Sequence, residues 1–140
     1  MEARQIELVQ ASFAEVAPIA DTAAGIFYTR LFDIAPEVRP LFKSDLSEQG
    51  RKLMATLGTV VRGLGNLEQL LPIARGLAAR HVDYGVRPEH YQPVGEALIY
   101  TLQTGLGEKF TEETKQAWLA AYGALSGAMI AEAYGRRAAE

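Results

Sequence analysis

The chain has two histidines and no cysteine, so a metal held through side-chain nitrogen has at most two ligands. The missing thiols remove disulfides, thiolate zinc sites, iron–sulfur clusters and thiol nucleophiles together. Neither Glu-x-x-His nor His-x-x-x-His spacing occurs, which zinc and carboxylate-bridged di-iron sites use. A cofactor that brings four equatorial donors of its own, such as haem, needs only one imidazole. His81 has the right placement. It ends a row of Leu67, Leu70, Ala74 and Leu77 in three- and four-residue steps, which is one face of a helix. A core histidine bonded to a backbone carbonyl is the alternative reading. His90 follows Pro88-Glu89 and reads as a capping neighbour at a helix start.

Two more polar side chains interrupt apolar stripes. Tyr28 lies among Ala24, Phe27, Leu31 and Phe32, and Gln49 falls three residues after Leu46 and four before Leu53. A buried hydroxyl or amide must find a hydrogen-bond partner, so each is either satisfied within the core or aimed at a ligand. Lys52 and Arg80 flank these stripes; they cover a solvated face or reach the acidic edge of a cofactor. Glu132 lies on the buried stripe of the last helix, with a solvated C-terminal turn as the alternative.

The elements that must position these residues are helices. With 140 residues, 49% hydrophobic and 22% charged, the chain reads as one domain over residues 1–140. A net charge of −3 argues against nucleic acid as a partner. The first five residues carry no apolar signal core, so a cytoplasmic location is expected. The longest charge-free stretch, Gln116 to Ala131, has 16 residues, short of the roughly 18–20 that a membrane span needs.

Helical spacing recurs nearly everywhere and predicts an all-α domain of about seven helices. They cover about 3–17, Asp21 to Ile34, Pro36 to Phe42, the residues after Lys43-Ser44-Asp45 to about Arg62, Leu67 to Gly85, Pro88 to Leu106, and a seventh capped by Thr111. Gly63-Leu64-Gly65 stops the fourth, and Asn66 with Gln69 reads as a capping box for the fifth.

Phe27-Tyr28-Thr29-Arg30-Leu31-Phe32, then Pro36-Glu37-Val38-Arg39-Pro40-Leu41-Phe42, resembles the bacterial single-domain globins and the haem domain of flavohaemoglobins. So do Arg51-Lys52-Leu53-Met54, the run from His81 to Val86, His90-Tyr91-Gln92-Pro93-Val94-Gly95 and Trp118-x-x-x-Tyr122-Gly123. The resemblance implies a globin fold, a three-on-three helical sandwich around haem b with no separate D helix. It implies His81 as proximal ligand and Phe42 as the ring packed on the haem face. Tyr28, Gln49 and Leu53 become the distal set, while Leu77, Val86, Tyr91 and Val94 line the walls. Lys52 and Arg80 become partners for the propionates. Tyr91 and a last-helix glutamate become support for the proximal histidine. Counted from Tyr122, the family's glutamate position falls on Ala133, whereas stripe phase favours Glu132; one residue is about 100° of helix rotation.

The implied ligands are O₂, NO and CO. Bound O₂ gains partial negative charge, and a hydrogen bond to a charged acceptor is worth about 1.5–3 kcal/mol, where about 1.4 is tenfold. Two donors, Tyr28 and Gln49, would slow O₂ loss by about two orders of magnitude or more. Such retention suits scavenging, sensing or conversion of O₂ and NO to nitrate, with an external reductase as partner because no flavin domain follows residue 140. The alternative is a globin-shaped sensor or interaction module without redox turnover.

Overall fold

Prolines and capping side chains set the helix ends, and the computed structural model describes the result over residues 2–42, 45–83 and 85–135. The expected loop residues Lys43 and Ser44, and Tyr84 of the His81 run, lie outside the described residues. Helix α1 spans Ala3–Val16, and a 3-10 turn at Ala17–Ile19, with Pro18 in its first positions, leads straight into α2, Ala20–Ile34. Helices α3 (Leu46–Gly63), α4 (Leu67–Asp83), α5 (Tyr91–Leu106) and α6 (Glu112–Ile130) complete the set.

Among the described residues, six α-helices and the short helix Pro36–Leu41 stand where about seven helices are expected. The third expected helix, Pro36–Leu41, is 3-10. Pro40 lacks the N–H that an α bond to the Pro36 carbonyl would need, and this short segment closes with i→i+3 bonds instead, such as Phe42 N–H to the Arg39 carbonyl at 3.1 Å. Pro88–His90 is likewise a 3-10 turn ahead of α5.

The caps follow the side chains. Asp45 Oδ1 accepts from the Ser47 N–H at 3.3 Å, Asn66 Oδ1 from Gln69 at 3.3 Å, and Thr111 Oγ1 from Thr114 at 3.2 Å. These satisfy N–H groups that have no partner within the helix. Only half of the expected Asn66 capping box forms, because the Asn66 N–H bonds to the Gly63 carbonyl at 2.9 Å.

Packing runs across the chain order: α1 on α6, α2 on α5 and α3, and α4 on α6. Trp118 of α6 is 2% exposed against Val9 and Val16 of the N-terminal segment. Its indole N–H donates to Ser12 Oγ at 2.7 Å, and that hydroxyl donates to the Leu8 carbonyl at 2.6 Å. Full burial of each Leu or Val here contributes about 1.5–3 kcal/mol. Helices α2 and α3 cross closely at Gly50, where a Cβ would stand 2.8 Å from Ala24 Cβ. No strand occurs among the described residues, and no helix there is long and apolar enough to cross a membrane.

Candidate functional site

Phe27 and Tyr28 are adjacent on α2, yet both turn into the core because α2 is covered by α3 on one side and α5 on another. The Tyr28 ring is held by three others: Phe27 at 5.3 Å and Phe42 at 5.4 Å, both edge-on, and Phe32 stacked at 5.9 Å. Phe42 closes the Pro36–Leu41 segment and also meets Phe32 edge-on at 5.3 Å. Leu46, Leu53 and Val94 pack on the same cluster. The Tyr28 side chain is 6% exposed, and its hydroxyl has no hydrogen-bond partner among the described residues. Burial pushes its pKa up to about 12, so the oxygen keeps its proton and remains a donor.

Helix α3 brings Gln49 beside this cluster. The next residue, Gly50, is the contact point of α3 with α2, and a Cβ there would lie 3.6 Å from the Tyr28 ring. Gln49 is half-buried, and its amide has no partner among the described residues.

His81 lies on α4, one turn after Leu77, and is half-buried. Its Nδ1 is 2.7 Å from the Leu77 carbonyl oxygen. A carbonyl can only accept, so Nδ1 carries the proton in the neutral ring and Nε2 presents the lone pair. Burial is the largest influence on its pKa and lowers it, the Leu77 carbonyl raises it, and the nearby Arg80 charge lowers it; the net shift is downward. That shift favours the neutral, ligating form. Tyr91 stacks on the imidazole at 6.2 Å and 24°. Leu77, Tyr91, Val86 and Met129 share one cluster. Gly85, at φ +89°, turns the chain after α4 and lets the Val86 N–H reach back to the His81 carbonyl at 3.0 Å, a conformation that costs glycine little.

The structure therefore gathers Tyr28, Phe42, Leu53 and Val94 around α2, and Leu77, His81, Val86 and Tyr91 around α4, with α5 carrying Val94 to one group and Tyr91 to the other. Lys52 and Arg80 are exposed; Lys52 is 3.6 Å from Glu48. Glu132 is half-buried, with its carboxylate 3.8 Å from Arg75 Nε of α4, while Ala133 packs on the Leu77 cluster. Both lie in a π-helical turn, Ala131–Gly135. Its i→i+5 winding advances each residue by less than an α turn does, so neighbouring residues approach the same face.

His90 is elsewhere. Its Nδ1 accepts the Arg87 N–H at 3.0 Å, and it lines an open groove of about 670 Å³ with Glu37, Leu41, Gly85, Arg87 and Glu96. Among the described residues no group of three or more His, Asp or Glu could hold a bare metal ion. The donor set does fit a metal that arrives in its own ring: one imidazole whose Nε2 bears the lone pair, apolar walls, and a protonated Tyr28 hydroxyl still able to donate. Two contacts that periodicity does not indicate are Arg75 at Glu132, and Tyr122 Oη donating to the Tyr91 carbonyl at 2.5 Å. The only signal of the second is that Tyr122 shares a stripe with Trp118.

Comparison with known proteins agrees with this geometry. The globin family model matches residues 26–129. A flavohemoprotein of Bacillus subtilis is 28% identical over 133 residues, covering 93% of this chain and 33% of that protein. A flavohemoprotein of Bordetella parapertussis is 37% identical over 107 residues, covering 74% of this chain and 27% of the relative. One from Rhizobium meliloti is 35% identical over 103 residues, 71% and 26%. The chain spans about a third or less of the length of these relatives. The helical order, the packing of α2 on α5 and α1 on α6, and the family match over most of the chain together place it in the globin family.

Proposed function

We propose that the chain holds haem b through His81 and binds O₂, NO and CO, with conversion of O₂ and NO to nitrate when a separate reductase supplies electrons. The observation that carries this reading is the set of the His81 ring, whose Nδ1 donates to the Leu77 carbonyl at 2.7 Å and so makes Nε2 the nitrogen that bears the lone pair. When bound, the haem would supply a ferrous iron that takes a diatomic gas and the one-electron chemistry of its oxidation.

The chain's own residues do the rest. His81 stays neutral and donates its Nε2 lone pair, while the Leu77 carbonyl and Tyr91 ring fix the plane of the imidazole. Phe42, Leu53, Leu77, Val86 and Val94 exclude water and pack on the ring faces. Lys52 and Arg80 pair with carboxylates at the ring edge. Tyr28 and Gln49 would supply the hydrogen-bond donors to the bound gas, which favour O₂ over CO because O₂ draws more negative charge. Glu132 and Tyr91 support the proximal side. The chain works in the cytoplasm.

The test is an absorption spectrum of the purified chain after haem loading, in the ferrous state with and without gas. A Soret band with a five-coordinate ferrous spectrum, converted by O₂ and by CO and lost in His81→Ala, is expected. A chain that takes up no haem would leave the sensor or interaction module as the better reading.

A further inference from the structure

Arg39 stands on the short helix Pro36–Leu41 with its side chain exposed, and no role assigned so far uses it. Two hydrogen bonds join it to Phe42. The Phe42 N–H donates to the Arg39 carbonyl at 3.1 Å, and Arg39 Nη1 donates to the Phe42 carbonyl at 3.1 Å. One residue thus holds both polar groups of the Phe42 main chain. The same guanidinium lies 5.1 Å from the centre of the Phe32 ring, inside the reach of about 6 Å for a cation–π contact. Phe32 meets Phe42 edge-on at 5.3 Å and stacks on Tyr28 at 5.9 Å, and Phe42 meets Tyr28 edge-on at 5.4 Å.

Phe42 follows the short helix with extended backbone, φ −95° and ψ 91°, so no helical ladder supplies a partner for its carbonyl. A guanidinium can donate in its plane and cover an aromatic ring with its face at once, which a flexible ammonium does less well. We propose that Arg39 is a positioning residue for the distal ring set. It fixes Phe42 through the backbone and Phe32 through the ring, and through these two rings it sets where the Tyr28 ring and hydroxyl stand. It acts through the rings and not by contact with the gas. The proposal rests on the reading of Tyr28 as a donor to bound gas and deepens it: a cation at the surface, together with the core packing of α2, decides where that donor stands.

The experiment uses the full chain in three variants, Arg39→Met, Arg39→Lys and Arg30→Met, with Arg39→Met also placed on a Tyr28→Phe background. Arg30 lies 4.6 Å from the centre of the Tyr100 ring, so Arg30→Met is the control for loss of an arginine–ring contact elsewhere on α2. Two readouts are taken. In the haem-free chain, proton spectra report the Phe32, Phe42 and Tyr28 rings. In the haem-loaded ferrous chain, the infrared stretch of bound CO and the O₂ off-rate report the donor. Arg39→Met is expected to move all three ring signals and to shift the CO stretch toward its value in Tyr28→Phe. O₂ loss should speed up by about threefold to tenfold, less than removal of the hydroxyl itself gives. On the Tyr28→Phe background the same change should leave the off-rate alone, because residues that act through one group are non-additive. Arg39→Lys keeps a charge and a donor and should recover part of each shift.

Wild-type ring signals in Arg39→Met, equal displacement by Arg30→Met, or an off-rate effect that persists undiminished without the Tyr28 hydroxyl would overturn the proposal. The haem-free readout keeps this separate from the parent reading. If Tyr28→Phe itself leaves the O₂ off-rate and the CO stretch at wild type, the reading of Tyr28 fails, while the hold of Arg39 on the three rings is still decided by the haem-free spectra.

Discussion

Tyr28→Phe separates a functional hydroxyl from a structural one, because the structure assigns it different effects on stability and on ligand loss. The substitution keeps the ring and its contacts with Phe27, Phe32 and Phe42, so no cavity opens. The ring it keeps is buried, while the hydroxyl it removes has no hydrogen-bond partner among the described residues. A hydroxyl that makes no bond within the protein supplies none of the roughly 0.5–1.5 kcal/mol that such a bond contributes. The haem-free variant should therefore be as stable as wild type, with an unchanged Tm. In the loaded protein the same change removes one donor to a charged acceptor, worth about 1.5–3 kcal/mol, or roughly a tenfold to hundredfold faster loss of O₂. Dissociation of CO should change far less. Stopped-flow displacement of O₂ by CO, and of CO by NO, gives the two rates, and thermal denaturation of the haem-free chain gives the stability. A lower Tm with an unchanged O₂ off-rate would show that the hydroxyl is held by protein, and the reasoning would be wrong.

Four further outcomes are expected. Gln49→Leu should speed O₂ loss in the same direction, with a double mutant that is non-additive if both donors share one ligand; strictly additive rates would show two independent sites. His90→Ala removes only the acceptor for the Arg87 N–H, so it should cost about 0.5–1.5 kcal/mol in a urea titration and leave the haem spectrum intact, in contrast to His81→Ala. His81 has a pKa lowered from 6.5 by burial, so the unfolded chain takes up the proton first. Its contribution to stability is therefore complete above pH 6.5 and is lost as pH falls from there through the lowered value. The urea midpoint of the haem-free chain should drop over that window and do so less in His81→Phe, and equal pH dependence in the two would contradict it. Gly50→Ala places a Cβ 2.8 Å from Ala24 Cβ. The overpacking, about 1–3 kcal/mol, should outweigh a helix-propensity gain of about 1 kcal/mol, and adding Ala24→Gly should recover part of the loss; a stabilised single mutant would refute this.

Helix placement is legible in this chain because it depends on nearby residues. Apolar steps of three and four, the Asp45, Asn66 and Thr111 caps and the break after Gly63 all act within one turn. Their outcomes survive folding with shifts of a residue or two. The third expected helix is local too: it forms at Pro36–Leu41 with 3-10 geometry, because Pro40 has no N–H to give an α bond to the Pro36 carbonyl. His81, Tyr28 and Gln49 stand out for a related reason, since a polar group on an apolar stripe conflicts with burial unless something satisfies it.

What periodicity cannot supply is the partner across the fold. Stripe phase alone leaves the His81 tautomer undetermined, and it is settled by the distance from Nδ1 to the Leu77 carbonyl. Residue type alone does not tell that Gly50 and Gly95 are clearances for Ala24 and for the Tyr122 ring, because the atoms they avoid are 26 and 27 positions away in the chain. The choice between Glu132 and Ala133 turns on the π winding of Ala131–Gly135 and on Arg75 of α4, neither of which an α-helical count contains. Side-chain types and their spacing thus decide which residues can do chemistry. Helix packing decides which of them meet and in what orientation, since hydrogen bonds and close contacts between α2, α4, α5 and α6 form only once the chain has closed on itself.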